Sequence, residues 1–233
     1  MLDVQEVTVR FGGVKPLDGV SVTFVEGVNG LVGPNGAGKT TMLNVLSGFY
    51  KLAGGRLLID GTDLAGFAPH RRARLGIRRT FQQEQVVKEL SAWDNILLTA
   101  ESLGENRADV ARVVETVGLA SPERRGRDLS MLERRLVEIA RTLVGSPRAI
   151  LLDEPGAGLA DVDSERLVPL IREMGRRTGT AVVLIDHDME LVSAVCDKLT
   201  VLDFGRVIAD GPTREVLQDP AVRRAYLGTE DVA

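Results

Sequence analysis

Residues 33–41 combine residue types and spacing that can do chemistry, because they follow the pattern G-x-x-x-x-G-K-[ST]. A short apolar run at 28–32 precedes them, and residues 42–46 continue with helical apolar spacing. A strand, a glycine-rich turn and a helix N-terminus form a phosphate cradle, since glycines let backbone N–H groups turn inward and the helix dipole adds positive potential. The alternative, a glycine-rich loop that only caps an ordinary helix, is disfavoured by these flanking elements.

This segment predicts that the chain binds a nucleoside triphosphate. Lys39 would reach the β- and γ-phosphates, and the Thr40 hydroxyl would bind Mg²⁺. The residues expected to contact the nucleotide here are Asn35, Gly36, Gly38, Lys39, Thr40 and Thr41.

An acidic pair follows the apolar run 150–152 directly. A carboxylate at the carboxyl end of a core strand faces the crevice where ligands bind in open α/β sheets. We expect Asp153 to hold Mg²⁺, directly or through water, because that ion prefers oxygen ligands. Glu154 could polarise the attacking water, and a turn at Pro155-Gly156 would let both carboxylates face the nucleotide. Taken alone, the pair could equally belong to a surface turn.

Three further side chains are candidates by position. His187 follows residues 183–186 at the end of the other core strand, and it could contact the γ-phosphate or the attacking water. Gln82 could reach the Mg²⁺ shell with its amide oxygen, and Phe11, at the end of the first strand, could stack on adenine. A structural histidine and a packed edge-strand phenylalanine remain the alternatives, while His70 is expected to be solvated.

The periodicity predicts an α/β fold that would position these residues. Alternation indicates strands at 3–11, 20–24 and 56–61, and unbroken apolar runs at 149–152 and 181–185 indicate parallel strands buried on both faces. The period is helical from Pro69 to about Val144, with breaks at Gly76, Gly104 and Gly118. A late hairpin is expected from 200–202 and 206–208.

Composition narrows the classes of protein. The 233 residues are 44% hydrophobic, which suits one large α/β domain or a core with a small appendage. The single cysteine, Cys196, excludes an internal disulfide and is expected to pack in a helix. Neither a signal peptide nor a membrane span is expected, and the net charge of −4 argues against nucleic acid. We attribute the local arginine cluster (Arg71, Arg72, Arg74, Arg78 and Arg79) to a solvated helix face.

The order of these motifs resembles an ABC-transporter ATPase subunit, and the resemblance covers essentially the whole chain. It is carried by the phosphate loop, by residues 79–82 (Arg-Thr-Phe-Gln), by Leu129-Ser130, by residues 151–155 and by residues 185–188. The sequences of four segments resemble those of the branched-chain amino-acid importer ATPases: residues 11–14, 48–51, 76–82 and 219–228.

The resemblance implies a P-loop NTPase (RecA-like) core with an antiparallel β subdomain and a helical subdomain at about 86–135, all within one domain, 1–233. It implies ATP and Mg²⁺ as cofactors, integral-membrane permease subunits and a second ATPase subunit as partners, and a place at the cytoplasmic face of the membrane. The roles that it implies are adenine stacking by Phe11, phosphate binding by Lys39, Mg²⁺ binding by Thr40, Gln82 and Asp153, general base for Glu154, and γ-phosphate contact for His187.

Two segments depart from the family pattern. The signature Leu-Ser-Gly-Gly-Gln reads Leu-Ser-Met-Leu-Glu at 129–133, and Ala160 stands where the family usually has Asp or Asn. Ser130, which would face the nucleotide of the other subunit in a dimer, is retained. We expect Met131 and Leu132 to add side chains at the point of closest approach. Two alternatives stay open: a lipopolysaccharide-export ATPase, which differs around Gln82, and a soluble P-loop kinase.

Overall fold

A computed structural model describes residues 1–227 and shows two β-sheets with helices packed against them. The strands are β1 Leu2–Phe11, β2 Val14–Phe24, β3 Gly27–Val32, β4 Gly54–Ile59, β5 Thr62–Asp63, β6 Ile77–Arg79, β7 Ala149–Asp153, β8 Ala181–Ile185, β9 Lys198–Asp203 and β10 Arg206–Pro212. The helices are α1 Lys39–Leu46, α2 Pro69–Arg74, α3 Ala92–Leu103, α4 Arg107–Thr116, α5 Met131–Leu143, α6 Asp161–Glu165, α7 Leu167–Gly175, α8 Met189–Val195, α9 Thr213–Val216 and α10 Pro220–Leu227.

The larger sheet has the strand order β10-β9-β3-β8-β7-β6 and is parallel except for β10. Its parallel strands therefore end at one edge, where ligands bind in sheets of this type. The phosphate loop leaves β3 at this edge, and Asp153 pairs with Ile185 at the ends of β7 and β8. The topology thus brings the sequence-predicted motifs to one edge of the sheet.

The buried strands of this sheet use both faces. In β8, Val183 packs in one hydrophobic cluster and Val182 and Leu184 pack in another, and β7 alternates in the same way. One cluster joins this sheet to α1 and to the antiparallel sheet β2-β1-β4-β5, while the other joins it to α3, α5 and α7. The α/β core with an antiparallel sheet is therefore confirmed.

Local signals set the ends of the helices that pack on the second face. Ser91 and Asn106 cap α3 and α4 with their side chains, and each accepts a hydrogen bond from a backbone N–H of the first turn. None of the helices within residues 1–227 has the length and hydropathy that crossing a membrane requires.

The expected helical stretch from Pro69 to Val144 is wrong in part. Residues 77–79 form β6, which pairs in parallel with β7, and residues 80–91 contain no helix. Three residues are too few to show a strand period, and β6 exists because β7 supplies its hydrogen-bond partners. The final segment of the importer-type resemblance is described only in part, since Gly228 lies outside the described residues.

The arginine cluster was also assigned wrongly in part. Arg71 and Arg74 are exposed, but Arg72 is 6% exposed and its Nη1 donates to the carbonyls of Val45 and Leu46 at the end of α1. Arg72 thus satisfies carbonyl groups that a helix C-terminus leaves unpaired. Arg78 is buried as well, and the side chain of Arg79 is only 6% exposed.

Cys196 is 8% exposed, and burial raises the pKa of its thiol to about 12. Because the thiolate is the reactive form, we expect DTNB to modify the native chain very slowly at about pH 8 and the guanidinium-unfolded chain rapidly. Absorbance at the thionitrobenzoate band measures both rates. Equal rates for the native and unfolded chains would contradict the buried position of Cys196.

Candidate nucleotide-binding site

The phosphate loop connects β3 to α1 and depends on two glycines. Gly33 has φ 153°, and a Cβ there would lie 2.1 Å from the Leu202 carbonyl oxygen. Gly38 has φ 110°, and a Cβ there would lie 2.4 Å from the Pro16 carbonyl oxygen. Neither position accepts a side chain, so both glycines are needed for the loop to turn directly into α1.

A cleft of about 340 Å³ opens above this loop. It brings together residues that the sequence analysis selected from four separate parts of the chain. They are Asn35, Gly36, Gly38, Lys39, Thr40, Thr41, Gln82, Glu154 and His187.

Lys39 lies across the loop rather than out in solvent. It is 7% exposed, and its Nζ donates to the carbonyl oxygens of Gly33 at 2.5 Å and Pro34 at 3.0 Å. Burial lowers the pKa of Lys39, and the nearby Glu154 carboxylate acts in the opposite direction. The ammonium group is therefore held at the floor of the cleft, where an anionic ligand would be stabilised.

Glu154 reaches the cleft because the backbone reverses at this residue. Its φ is 51°, in the left-handed region that few non-glycine residues adopt, and its N–H donates to the Ile185 carbonyl at 2.7 Å. Its Oε1 accepts from Gln82 Nε2 at 3.3 Å and lies 3.1 Å from His187 Nε2. Three groups able to bind or deprotonate a water molecule therefore meet beside the phosphate loop.

Asp153, which directly precedes Glu154, is buried and is not one of the residues that line the cleft. It is 1% exposed, its N–H donates to Thr80 Oγ1 at 3.0 Å, and its Oδ2 pairs with Arg79 at 2.8 Å. Its Oδ1 is buried and has no hydrogen-bond partner in residues 1–227. Burial raises the pKa of Asp153, whereas the Arg79 guanidinium acts to lower it.

The donor set suits a hard divalent cation such as Mg²⁺. Thr40 offers a hydroxyl at the start of α1, Gln82 an amide oxygen, and Asp153 a carboxylate oxygen that lacks a partner. No group of three or more His, Cys, Asp or Glu side chains within residues 1–227 is arranged to hold a metal by itself. Such an ion would therefore depend on phosphate oxygens and water for its other ligands.

Phe11 and Ser130 lie outside the cleft. Phe11 is half-exposed, and its ring contacts Tyr50 edge-on with centroids 5.0 Å apart. Ser130 caps α5: its Oγ accepts from the Glu133 N–H, and its own N–H donates to the Glu133 carboxylate. Neither residue is among those that line the cleft.

The altered signature has one exposed and one buried side chain. Met131 is 48% exposed and lies against Gly158, where a Cβ would come within 3.1 Å of its Cε. Leu132 is 4% exposed and packs in the core. Leu132 therefore adds no exposed side chain at the expected point of closest approach, because α5 begins at Met131 and turns the next residue inward.

A phosphate loop between a central parallel strand and a helix, with two carboxylates at the end of another strand, defines a P-loop nucleoside triphosphatase. The family model described as ABC transporter matches residues 17–157, and the model described as branched-chain amino acid ATP-binding cassette transporter matches residues 206–232. The chain belongs to the ATP-binding subunits of ABC transporters, which bind and hydrolyse ATP.

Curated relatives of this chain include several bacterial transport proteins. The high-affinity branched-chain amino acid transport ATP-binding protein BraF of Pseudomonas aeruginosa is 35% identical over 98% of both chains. The protein of the same description from Escherichia coli, LivG, is 34% identical over 98% of both chains. The lipopolysaccharide export system ATP-binding protein LptB of Acidithiobacillus ferridurans is 37% identical over 91% of this chain and 90% of its own length.

Solved structures show the same fold. A nucleotide-free ATP-binding cassette from an ABC transporter has a TM-score of 0.87 at 31% identity, covering 98% of this chain and 99% of that one. The ADP conformation of the cassette MJ1267 has a TM-score of 0.86 at 32% identity, covering 98% of both chains.

Proposed function

We propose that this subunit hydrolyses ATP with Mg²⁺ and drives the import of branched-chain amino acids or a similar small solute through separate permease subunits. The convergence of Gln82, Glu154 and His187 beside the phosphate loop carries the proposal for hydrolysis. The relatives BraF and LivG and the match at 206–232 support the solute class. The subunit would act at the cytoplasmic face of the membrane, held there by the permease.

Hydrolysis is an in-line attack of water on the γ-phosphate, so the protein mainly positions groups and neutralises charge. Lys39 and the loop N–H groups would hold the β- and γ-phosphates. Mg²⁺, held by Thr40, Gln82 and Asp153, would neutralise phosphate charge. Glu154 would accept the proton of the attacking water, with its carboxylate oriented by Gln82 and His187.

The LptB relative keeps lipopolysaccharide export as a second candidate, although it covers less of the chain. The soluble-kinase alternative is removed by membership of the transporter family. To test the importer proposal, the subunit would be reconstituted with candidate permease subunits in proteoliposomes. ATP-dependent uptake of labelled leucine supports import, whereas ATP-dependent extraction of lipopolysaccharide without uptake favours export.

We also propose that the subunit pairs with a second ATPase subunit, preferably a related chain with an intact signature. Ser130 keeps its cap at the start of α5, so its hydroxyl and the helix N-terminus remain able to face a phosphate across a dimer. Met131 adds an exposed side chain where close backbone approach is expected. In a heterodimer, the altered signature would face only the nucleotide bound to the partner subunit. The nucleotide bound to this chain would face the partner's signature.

We therefore expect the isolated chain to hydrolyse ATP weakly, and Met131→Gly to raise that activity by as much as about 10-fold. Losing one well-aimed hydrogen-bond donor to developing charge typically lowers the rate by about 10²–10³-fold. Restoring part of the close backbone approach at residue 131 should therefore give a measurable rise in rate. Steady-state phosphate release as a function of protein concentration is the measurement. Leu132 stays unchanged because its side chain is part of the core.

Met131→Leu, which keeps the bulk of the side chain, serves as the matched control and should leave the activity as it is. If the wild-type chain alone hydrolyses ATP rapidly and cooperatively, and Met131→Gly adds nothing, the altered signature is neutral. The proposed preference for a related partner subunit is then wrong.

A further inference from the structure

Arg79 connects two parts of the candidate site. It ends β6, and its side chain is 6% exposed. Its Nη2 donates to Asp153 Oδ2 at 2.8 Å, while its Nη1 donates to Asn44 Oδ1 at 2.6 Å and to Ser47 Oγ at 3.0 Å. One guanidinium therefore joins the carboxyl end of β7 to α1, the helix that begins at the phosphate loop.

The orientation of this guanidinium is fixed by further contacts. Its Nε donates to the Thr80 carbonyl at 3.1 Å, and its central carbon lies 4.9 Å from the Phe81 ring centroid and 6.0 Å from that of Phe49. The two rings also contact each other edge-on at 5.7 Å. A planar, delocalised cation suits this setting better than a lysine ammonium, because it combines ring contact with directed donors.

The two oxygens of Asp153 have different surroundings as a result. Oδ2 is occupied by Arg79, whereas Oδ1 is buried and has no hydrogen-bond partner in the described part of the chain. A buried polar atom without a partner is costly and in native proteins usually has a functional reason. Here Arg79 holds one oxygen and thereby keeps the other one available.

We propose that Arg79 is a positioning residue for the divalent cation, acting through Asp153. By fixing Oδ2, the guanidinium orients Oδ1 toward the cation that accompanies the nucleotide. Through its hydrogen bonds to Asn44 and Ser47, it also fixes the position of β7 relative to α1. The inference rests on the proposed Mg²⁺ site. Its consequence is specific: loss of Arg79 weakens the binding of the cation much more than the metal-free binding of the nucleotide.

Two measurements on the full chain separate these effects. Mn²⁺ binding in the presence of ATP is followed by electron paramagnetic resonance, and the binding of a fluorescent ATP analogue is titrated in EDTA. In Arg79→Gln the affinity for Mn²⁺ is expected to fall by about 10–100-fold, the usual effect of removing a group that orients a metal ligand. The analogue's dissociation constant in EDTA should change less than about twofold. Arg79→Lys, which keeps one charged donor, should recover part of the Mn²⁺ affinity.

Arg135→Gln is the matched control, because it breaks another buried ion pair, to Glu138 at 2.8 Å, whose residues do not line the cleft. It should lower the thermal midpoint but leave Mn²⁺ affinity unchanged. The proposal is overturned if Arg79→Gln also lowers only the thermal midpoint, or if it weakens metal-free nucleotide binding as much as Mn²⁺ binding. Wild-type protein that binds the analogue but no Mn²⁺ would instead overturn the Mg²⁺ site itself.

Discussion

Glu154→Gln is expected to bind ATP as the wild type does and to hydrolyse it about 10²–10⁴-fold more slowly, the usual contribution of a positioned base. The substitution keeps the shape of the side chain and an oxygen that can accept from Gln82 and His187. It removes the carboxylate that would take the proton from water. Because unhydrolysed ATP would remain between the two subunits of the proposed dimer, an ATP-bound dimer should also accumulate, and size-exclusion chromatography with ATP would detect it.

Glu115→Gln on the exposed side of α4 is the matched control and should hydrolyse ATP at the wild-type rate. Binding is measured by equilibrium titration and turnover by phosphate release. A Glu154→Gln preparation that is free of contaminating ATPase and still turns over at the wild-type rate would exclude Glu154 as the base.

The phosphate loop could be predicted from sequence because its determinants are local. Gly33, Gly38 and Lys39 lie within seven positions of each other, and the steric limits at the two glycines leave little choice of residue. The core strands β7 and β8 were equally clear, since burial on both faces requires uninterrupted apolar residues. From the phosphate loop and these two strands, the sequence also predicted the edge of the sheet at which the motifs meet.

The arrangement behind the loop depends on contacts that the sequence does not display. Arg79 and Asp153 are 74 positions apart, and β6 exists only through its pairing with β7. An arginine among other arginines indicates a solvated surface unless a buried acid is known to face it. Likewise, the sequence does not display the positive φ of Glu154, which accompanies the placement of that side chain in the cleft while Asp153 stays buried against Arg79.

Lys39→Ala is expected to abolish tight ATP binding. The Lys39 ammonium lies on the floor of the cleft at the start of α1, where burial already lowers its pKa. Truncating one partner of a buried charge pair costs about 2–5 kcal/mol, which corresponds to a dissociation constant raised by about 30-fold to a few thousand-fold. Its contacts to the Gly33 and Pro34 carbonyls show that the ammonium group also braces the loop.

The effect of a distorted phosphate loop on ATP binding must therefore be separated from the effect of the lost charge. Lys39→Arg keeps the charge and should retain more affinity than Lys39→Ala, whereas Lys51→Ala removes an exposed lysine beyond α1 and should bind like the wild type. Equilibrium titration with a fluorescent ATP analogue, with thermal unfolding of each variant, gives both quantities. We expect the phosphates to be bound by the Lys39 ammonium group. An unchanged dissociation constant in folded Lys39→Ala would therefore show that the nucleotide binds elsewhere.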